Sequence, residues 1–228
     1  MMSEIMRDVP IRNKRALELL DKWLEFRKYT DILTLADDIP NEEAEYYVSD
    51  EYFNKICEMK MGHDGFPEKM KAYNFQHSQT DVDWSAPDVT RKHKEMCDLY
   101  NKLLREMTLE YAWRNTALAS IYPPGGMISW HNNANAPGYN VIFSWSETGD
   151  SYFKYWDPVQ EKEVIMYDKP GWNAKVGGFG SYSDGWDKVI YHAAHTNCWR
   201  MTLSFVFKTS ATSTVFQDML VEDLMYED

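Results

Sequence analysis

The sequence predicts an α+β chain, with helices first, an antiparallel β-fold of about eight short strands second, and a short helical tail. Three observations predict it. Apolar residues recur at helical spacing as far as residue 111. From residue 115 they gather instead into short runs cut by Pro and Gly. Seven of the nine Trp and nine of the eleven Gly then fall between residues 113 and 199, so the chain has two halves of different character.

Residues 14–28 place Leu17, Leu20, Trp23 and Leu24 at helical spacing. Ser49 is a good N-cap for a second helix carrying Phe53, Ile56 and Cys57. Residues 62–85 hold Gly, Pro, Asn and Asp without a period and read as a long loop. After Pro87 a long helix follows, with Val89, Met96, Tyr100, Leu103, Leu104, Met107 and Tyr111 at i, i+3, i+4. The strand runs are 118–122, 127–131, 139–145, 152–156, 164–167, 174–179, 188–192 and 199–207. Turn chemistry separates them at Pro123-Pro124-Gly125-Gly126, Pro137-Gly138, Gly149-Asp150, Pro170-Gly171 and Asp184-Gly185. Short strands at roughly 10-residue spacing argue for an antiparallel sandwich or barrel. Residues 213–226 read as an acidic amphipathic helix. The organisation expected is a helical region at 1–112 packing on the sheet, a β-core at 113–210 and an acidic tail at 211–228, integrated as one domain.

Composition bounds the function. A formal charge of −12 over 228 residues repels phosphate backbones, which argues against sequence-independent nucleic-acid binding. It favours basic or neutral partners, either small molecules or peptide segments. The longest apolar runs fall short of the ~20 residues that span a bilayer, and the first residues lack an apolar signal core. Three Cys without a CxxC pair suggest reduced thiols and a cytoplasmic location. No GxxxxGK[ST], GxGxxG, HExxH or GxSxG motif is present, so nucleotide-binding, zincin and α/β-hydrolase readings have no support.

The chemistry concentrates in the second half. His131 ends a strand and is followed by Asn132, Asn133 and Asn135, while His192 ends the penultimate strand, eight residues before Arg200. Alternation along an extended strand would point His131 and Asn133 to one face. A jelly roll can bring the ends of its second and seventh strands together, which would join His131, Asn133 and His192, with Arg200 deeper on the eighth. Two imidazoles and one oxygen ligand on one face of an octahedral ion leave open positions, the facial arrangement of non-haem Fe(II) oxygenases. A charged Arg in an otherwise apolar strand needs a partner and could clamp a carboxylate or bridge across the sheet. Tyr122 could add a phenol hydrogen bond, and Thr202 shares a face with Arg200. His195, Asn135, Tyr139 and Trp145 are candidates for supporting or substrate-contacting positions. His63, His77 and His93 read as ordinary surface or loop residues.

The run Tyr122-Pro-Pro-Gly-Gly-Met-Ile-Ser-Trp-His131-Asn-Asn133 resembles the Tyr-x-x-Gly…His-x-Asp segment of prolyl-hydroxylase-like 2-oxoglutarate/Fe(II) dioxygenases. His192 followed by Arg200-x-Thr202 resembles that family's distal His and cosubstrate-binding Arg-x-Ser/Thr. The wider sequence is similar to small members from marine bacteria and their phages, which implies a bacterial cytoplasm. The resemblance covers residues 115–208, and implies a double-stranded β-helix in which His131, Asn133 and His192 hold Fe(II) and Arg200, Thr202 and Tyr122 bind 2-oxoglutarate. It implies hydroxylation of a C–H bond in a peptide or small molecule, with release of succinate and CO2. One position departs from the family: its metal-binding Asp is Asn133 here, which removes a negative charge from the ion. A halogenase-type site, a cupin-type metalloenzyme and a non-catalytic jelly-roll protein binding sugar or peptide are the alternatives this departure keeps open.

Overall fold

The computed structural model describes residues 5–29, 39–59, 63–75, 87–111, 116–133, 137–180, 182–207 and 214–227. They form a mixed α/β chain in which two antiparallel sheets face each other and helices cover both outer faces.

The first helix, α1 (Lys14–Asp21), starts where the Asn13 side chain accepts from the Ala16 amide at 3.0 Å. The run expected to stay α-helical to residue 28 tightens instead into a 3-10 helix over Lys22–Tyr29. There Trp23, Phe26 and Tyr29 are buried on tertiary contacts that override the α period. A helix absent from the sequence reading, α2 (Asn41–Tyr47), follows Pro40 and carries Glu42 and Glu43 in its first turn, where the helix dipole favours acid. Seven residues give too few turns for periodicity to show. In α3 (Asp50–Met59) the Ser49 hydroxyl caps as expected, accepting from the Tyr52 amide at 3.2 Å. The long helix α4 (Pro87–Tyr111) buries Met96, Leu103 and Met107, and α5 (Thr214–Met225) buries Leu220 and Leu224. The backbone carbonyl of Leu224 accepts from the amides of Arg12 and Asn13, which ties the tail to the start of α1.

The strands are β1 (Met6–Val9), β2 (Met70–Lys71), β3 (Tyr73–Asn74), β4 (Thr116–Tyr122), β5 (Gly126–His131), β6 (Gly138–Ser146), β7 (Ser151–Asp157), β8 (Lys162–Tyr167), β9 (Gly171–Phe179), β10 (His192–Thr196) and β11 (Arg200–Phe207). Seven of the eight expected runs coincide with β4–β9 and β11 to within a few residues. The eighth is displaced. Residues 186–188 form a 3-10 turn, so the penultimate strand begins at His192 instead of ending there. The region before residue 112 is also not purely helical, since it supplies β1, β2 and β3 to the sheet edges. The six-stranded sheet has the order β1-β9-β6-β11-β4-β3 and the five-stranded sheet β2-β5-β10-β7-β8. Gly177 lets β1 approach: a Cβ there would lie 2.2 Å from the Ile5 carbonyl oxygen.

Side-chain parity sorts the core. Val141, Phe143, Met201, Leu203 and Phe205 face outward onto α1, α4 and α5, while Met127 and Ala193, together with Trp130 beyond a register shift in the β5–β10 pairing, pack under α2 and α3. The opposite parity of both sheets, including Ile142, Phe153 and Phe179, faces inward. No helix of the described residues is long and apolar enough to cross a membrane.

Trp23 is fully buried between α4 and the larger sheet, and its indole N–H points at the Met107 sulfur at 3.0 Å. Trp23→Ala is expected to lower unfolding free energy by about 3–5 kcal/mol, read from urea denaturation.

Candidate active site

Between the sheets lies a cavity of about 500 Å³. Its two ends differ in chemistry because the β10–β11 turn places them. His192 opens β10, Thr196 closes it, and Arg200 begins β11 directly after the turn. Arg200 therefore sits roughly four residues of strand, about 13 Å, from the level of His192.

At one end His192 pairs across the sheet with His131, and their ring centroids are 4.1 Å apart. Each ring is turned the same way. Nδ1 of His131 lies 2.8 Å from the Ser129 carbonyl, and Nδ1 of His192 lies 3.1 Å from the Ile190 carbonyl. A carbonyl only accepts, so both Nδ1 atoms carry the proton and both Nε2 atoms keep a lone pair. Burial pushes the His131 pKa down to about 4, and burial together with its neighbour pushes His192 well below the usual imidazole range. Both are neutral bases at pH 7, the state in which imidazole binds a metal.

Asn133 lines the same cavity, though not by strand alternation. The strand stops at His131, and Asn133 adopts a left-handed backbone with φ of 61°, a conformation Asn and Asp tolerate best among non-Gly residues. Among the described residues no group of three His, Cys, Asp or Glu is arranged to hold a metal ion. The donors gathered here are two imidazoles and one amide.

The other end is sealed. Arg200 and Tyr122 are each 1% exposed and directly opposed in register. Arg200 donates from Nε to Asp168 at 2.9 Å and from Nη1 to the Thr202 hydroxyl. Among the described residues its Nη2 has no hydrogen-bond partner, and neither has the Tyr122 hydroxyl or the Ser120 hydroxyl. Buried polar groups are normally satisfied, so unpaired donors beside a cavity mark where a ligand's acceptors belong. Burial raises the Tyr122 pKa, which keeps the phenol protonated and able to donate.

The remaining candidates lie elsewhere. His195 has the opposite parity to His192 on β10 and stacks near Tyr152 on the outer face, away from the cavity. Tyr139 and Trp145 share a parity on β6 that faces the helices, where Arg27 lies 4.9 Å over the Trp145 ring. Asn140, Ile142 and Ser144 hold the inward positions of that strand. Asn135 and His77 fall outside the described residues. Sequence reasoning missed two residues. His63, taken for a loop residue, is buried, accepts from the Gly65 amide at 3.1 Å and lies within electrostatic reach of His131. Asp168, which no sequence pattern singled out, is Arg200's buried partner; Lys175 in an apolar strand was the available clue to a hidden carboxylate.

The depressed His131 pKa has a sign. Between pH 6.5 and 4 the unfolded chain takes up a proton that the folded site refuses, so stability falls on acidification through that window. His131 alone accounts for about 3 kcal/mol by pH 4, and His192 acts in the same direction. Urea midpoints in EDTA should drop from pH 7 to pH 4.5, and His131→Gln should shrink the drop.

No family model matches the chain, and no curated protein matches it. Among solved structures, a prolyl-4-hydroxylase from Pseudomonas putida is similar over 75% of this chain and 88% of its own, at 9% identity and a TM-score of 0.32. The viral collagen prolyl hydroxylase of Paramecium bursaria Chlorella virus-1, in complex with 2OG, is similar over 70% and 91%, at 10% identity and a TM-score of 0.28. At these values neither likeness bears on function, and the chemistry has to be read from the residues themselves.

Proposed function

We propose that the chain is a 2-oxoglutarate- and Fe(II)-dependent oxygenase built on a double-stranded β-helix. The strand order supports the fold: β4, β6, β9 and β11 share one sheet while β5, β7, β8 and β10 share the other, the winding of an eight-stranded jelly roll. The segments at 1–112 and 211–228 serve as buttress and tail of that single unit. The observation that carries the function is one cavity with a neutral imidazole pair at one end and an unsatisfied guanidinium at the other.

Nε2 of His131, Nε2 of His192 and the Asn133 amide oxygen would hold the ion, since imidazole and neutral oxygen suit Fe(II). Arg200 Nη2 and the Tyr122 hydroxyl would donate to the distal carboxylate of 2-oxoglutarate, with Thr202 fixing the guanidinium plane. Bound together, the ion and cosubstrate supply O2-dependent oxidation of a C–H bond, with 2-oxoglutarate converted to succinate and CO2. The chain's own part is orientation and exclusion. Ser129 and Ile190 lock the imidazole tautomers, and the apolar lining keeps water from the reacting centre. The imidazole end is the accessible one: Phe66, which lines the cavity and follows the Gly65 carbonyl bonded to the Asn132 amide, is 62% exposed. A substrate side chain or small molecule would enter there. The acidic net charge favours a neutral or basic substrate over nucleic acid.

Asn133 also favours a second reading, a jelly-roll binding protein without iron, because an amide brings no charge to a hard cation. One assay separates the two. Protein reconstituted anaerobically with Fe(II) and 2-oxoglutarate, then exposed to air, should form succinate above a metal-free control. No succinate, and no melting-temperature shift with either ligand, overturns the oxygenase reading. Asn133→Asp keeps a residue that accepts the left-handed backbone. It should tighten Fe(II) binding by about tenfold or more and raise succinate formation without substrate, since even partners outside the ligand set change metal affinity by about 10–100-fold. Unchanged affinity and turnover would remove Asn133 from the ligand set.

A further inference from the structure

Asp168 and Lys175 are both fully buried beneath the closed end of the cavity, with side chains at 0% exposure. Asp168 follows β8 and reaches across to four other strands. Its Oδ1 accepts from Lys175 Nζ at 2.6 Å and the Ser144 hydroxyl at 2.8 Å. Its Oδ2 accepts from Arg200 Nε at 2.9 Å and the Ser151 hydroxyl at 2.8 Å. With Nε on Asp168 and Nη1 on Thr202, Arg200 has one donor edge, Nη2, that is unpaired among the described residues, at the cavity it lines.

The charges decide what that edge can do. Arg200 and Asp168 alone would be a neutral buried pair with little pull on an anion. Lys175 adds a second buried cation, so the sealed group sums to +1. Asp8 lies 3.7 Å from Lys175 Nζ but is two-thirds exposed on the edge strand β1, so its high-dielectric surroundings leave it a far weaker partner than the buried Asp168. A net buried charge is costly unless a counter-charge arrives, and the cavity is the side from which one can.

We infer that Asp168 is a positioning residue, holding Arg200 so that Nη2 faces the cavity, and that Lys175 sets the charge, cancelling Asp168 so that the closed end keeps one positive charge selecting a carboxylate. The inference rests on reading the closed end as the site of the 2-oxoglutarate distal carboxylate.

Calorimetry of 2-oxoglutarate binding to Mn(II)-loaded protein tests it without turnover. Lys175→Met brings the buried sum to zero and should weaken binding by about tenfold. Asp168→Asn keeps an acceptor for Arg200 Nε and should bind no more weakly than wild type. The double variant Asp168→Asn/Lys175→Met returns the sum to +1 and should recover most of the loss, which a purely structural role for Lys175 does not predict. The analogue 2-oxopentanoate, which lacks the distal carboxylate, should bind more weakly than 2-oxoglutarate to wild type and show little response to either substitution. A double variant as weak as Lys175→Met, with circular dichroism and Mn(II) affinity unchanged, overturns the charge assignment. If Lys175→Met fails to fold, weaker binding by folded Asp168→Asn or by the folded double variant overturns it equally. If wild type binds 2-oxoglutarate no better than 2-oxopentanoate, the reading of the closed end falls, and this inference with it.

Discussion

A carboxylate sealed between two sheets governs the closed half of this molecule. Asp168 joins β6, β7, β9 and β11 through two hydroxyls, an ammonium and a guanidinium, and its own amide bonds the Ser151 carbonyl. Burial by itself raises a carboxyl pKa, yet the Arg200 and Lys175 charges and their hydrogen bonds overcome it and hold Asp168 well below the usual range. Asp168 is the member the others depend on: without its carboxylate two buried cations would be left with no counter-charge between them, at their full desolvation cost. The strands it ties are the ones that shape the floor of the cavity.

The imidazole end follows a different logic. No charge holds His131 and His192 in place. Backbone carbonyls two residues earlier fix the rings, and burial keeps them neutral. One end of the cavity is thus prepared by electrostatics and the other by backbone geometry. Sequence-adjacent Asn132 braces the latter: its amide nitrogen bonds the Gly65 carbonyl, and its side chain donates to the Tyr182 hydroxyl at 2.6 Å. Two loops from distant parts of the chain therefore meet beside the imidazole pair.

Much of this was legible in the sequence, and what was not has physical reasons. Strands β4 to β9 and β11 announced themselves by apolar runs between turn residues, and His131, His192, Arg200 and Tyr122 by their positions on them. Two-residue strands such as β2 and β3 carry no periodic signal at all. Tyr139 and Trp145 were misjudged because aromatic character was read without parity; Asn140 and Ser144 between them mark the inward face of β6. Val189, Ile190 and Tyr191 are apolar and so read as a strand ending at His192; they are buried, yet the ladder begins only at His192. Asp168 stayed hidden because a buried charge is defined by partners from other strands, and those partners meet only in three dimensions.

The short β10 has a consequence of its own. Its two ends face the two chemistries of the cavity; an extended strand cannot stretch further, and a one-residue slip would turn every side chain to the other sheet face. The strand is a ruler. Any molecule that must touch both ends is sorted by length before shape or polarity is tested, and no side-chain rearrangement can reset that gauge. A chain with this backbone could change what enters at the imidazole end freely, while the span of what lies beneath stays fixed.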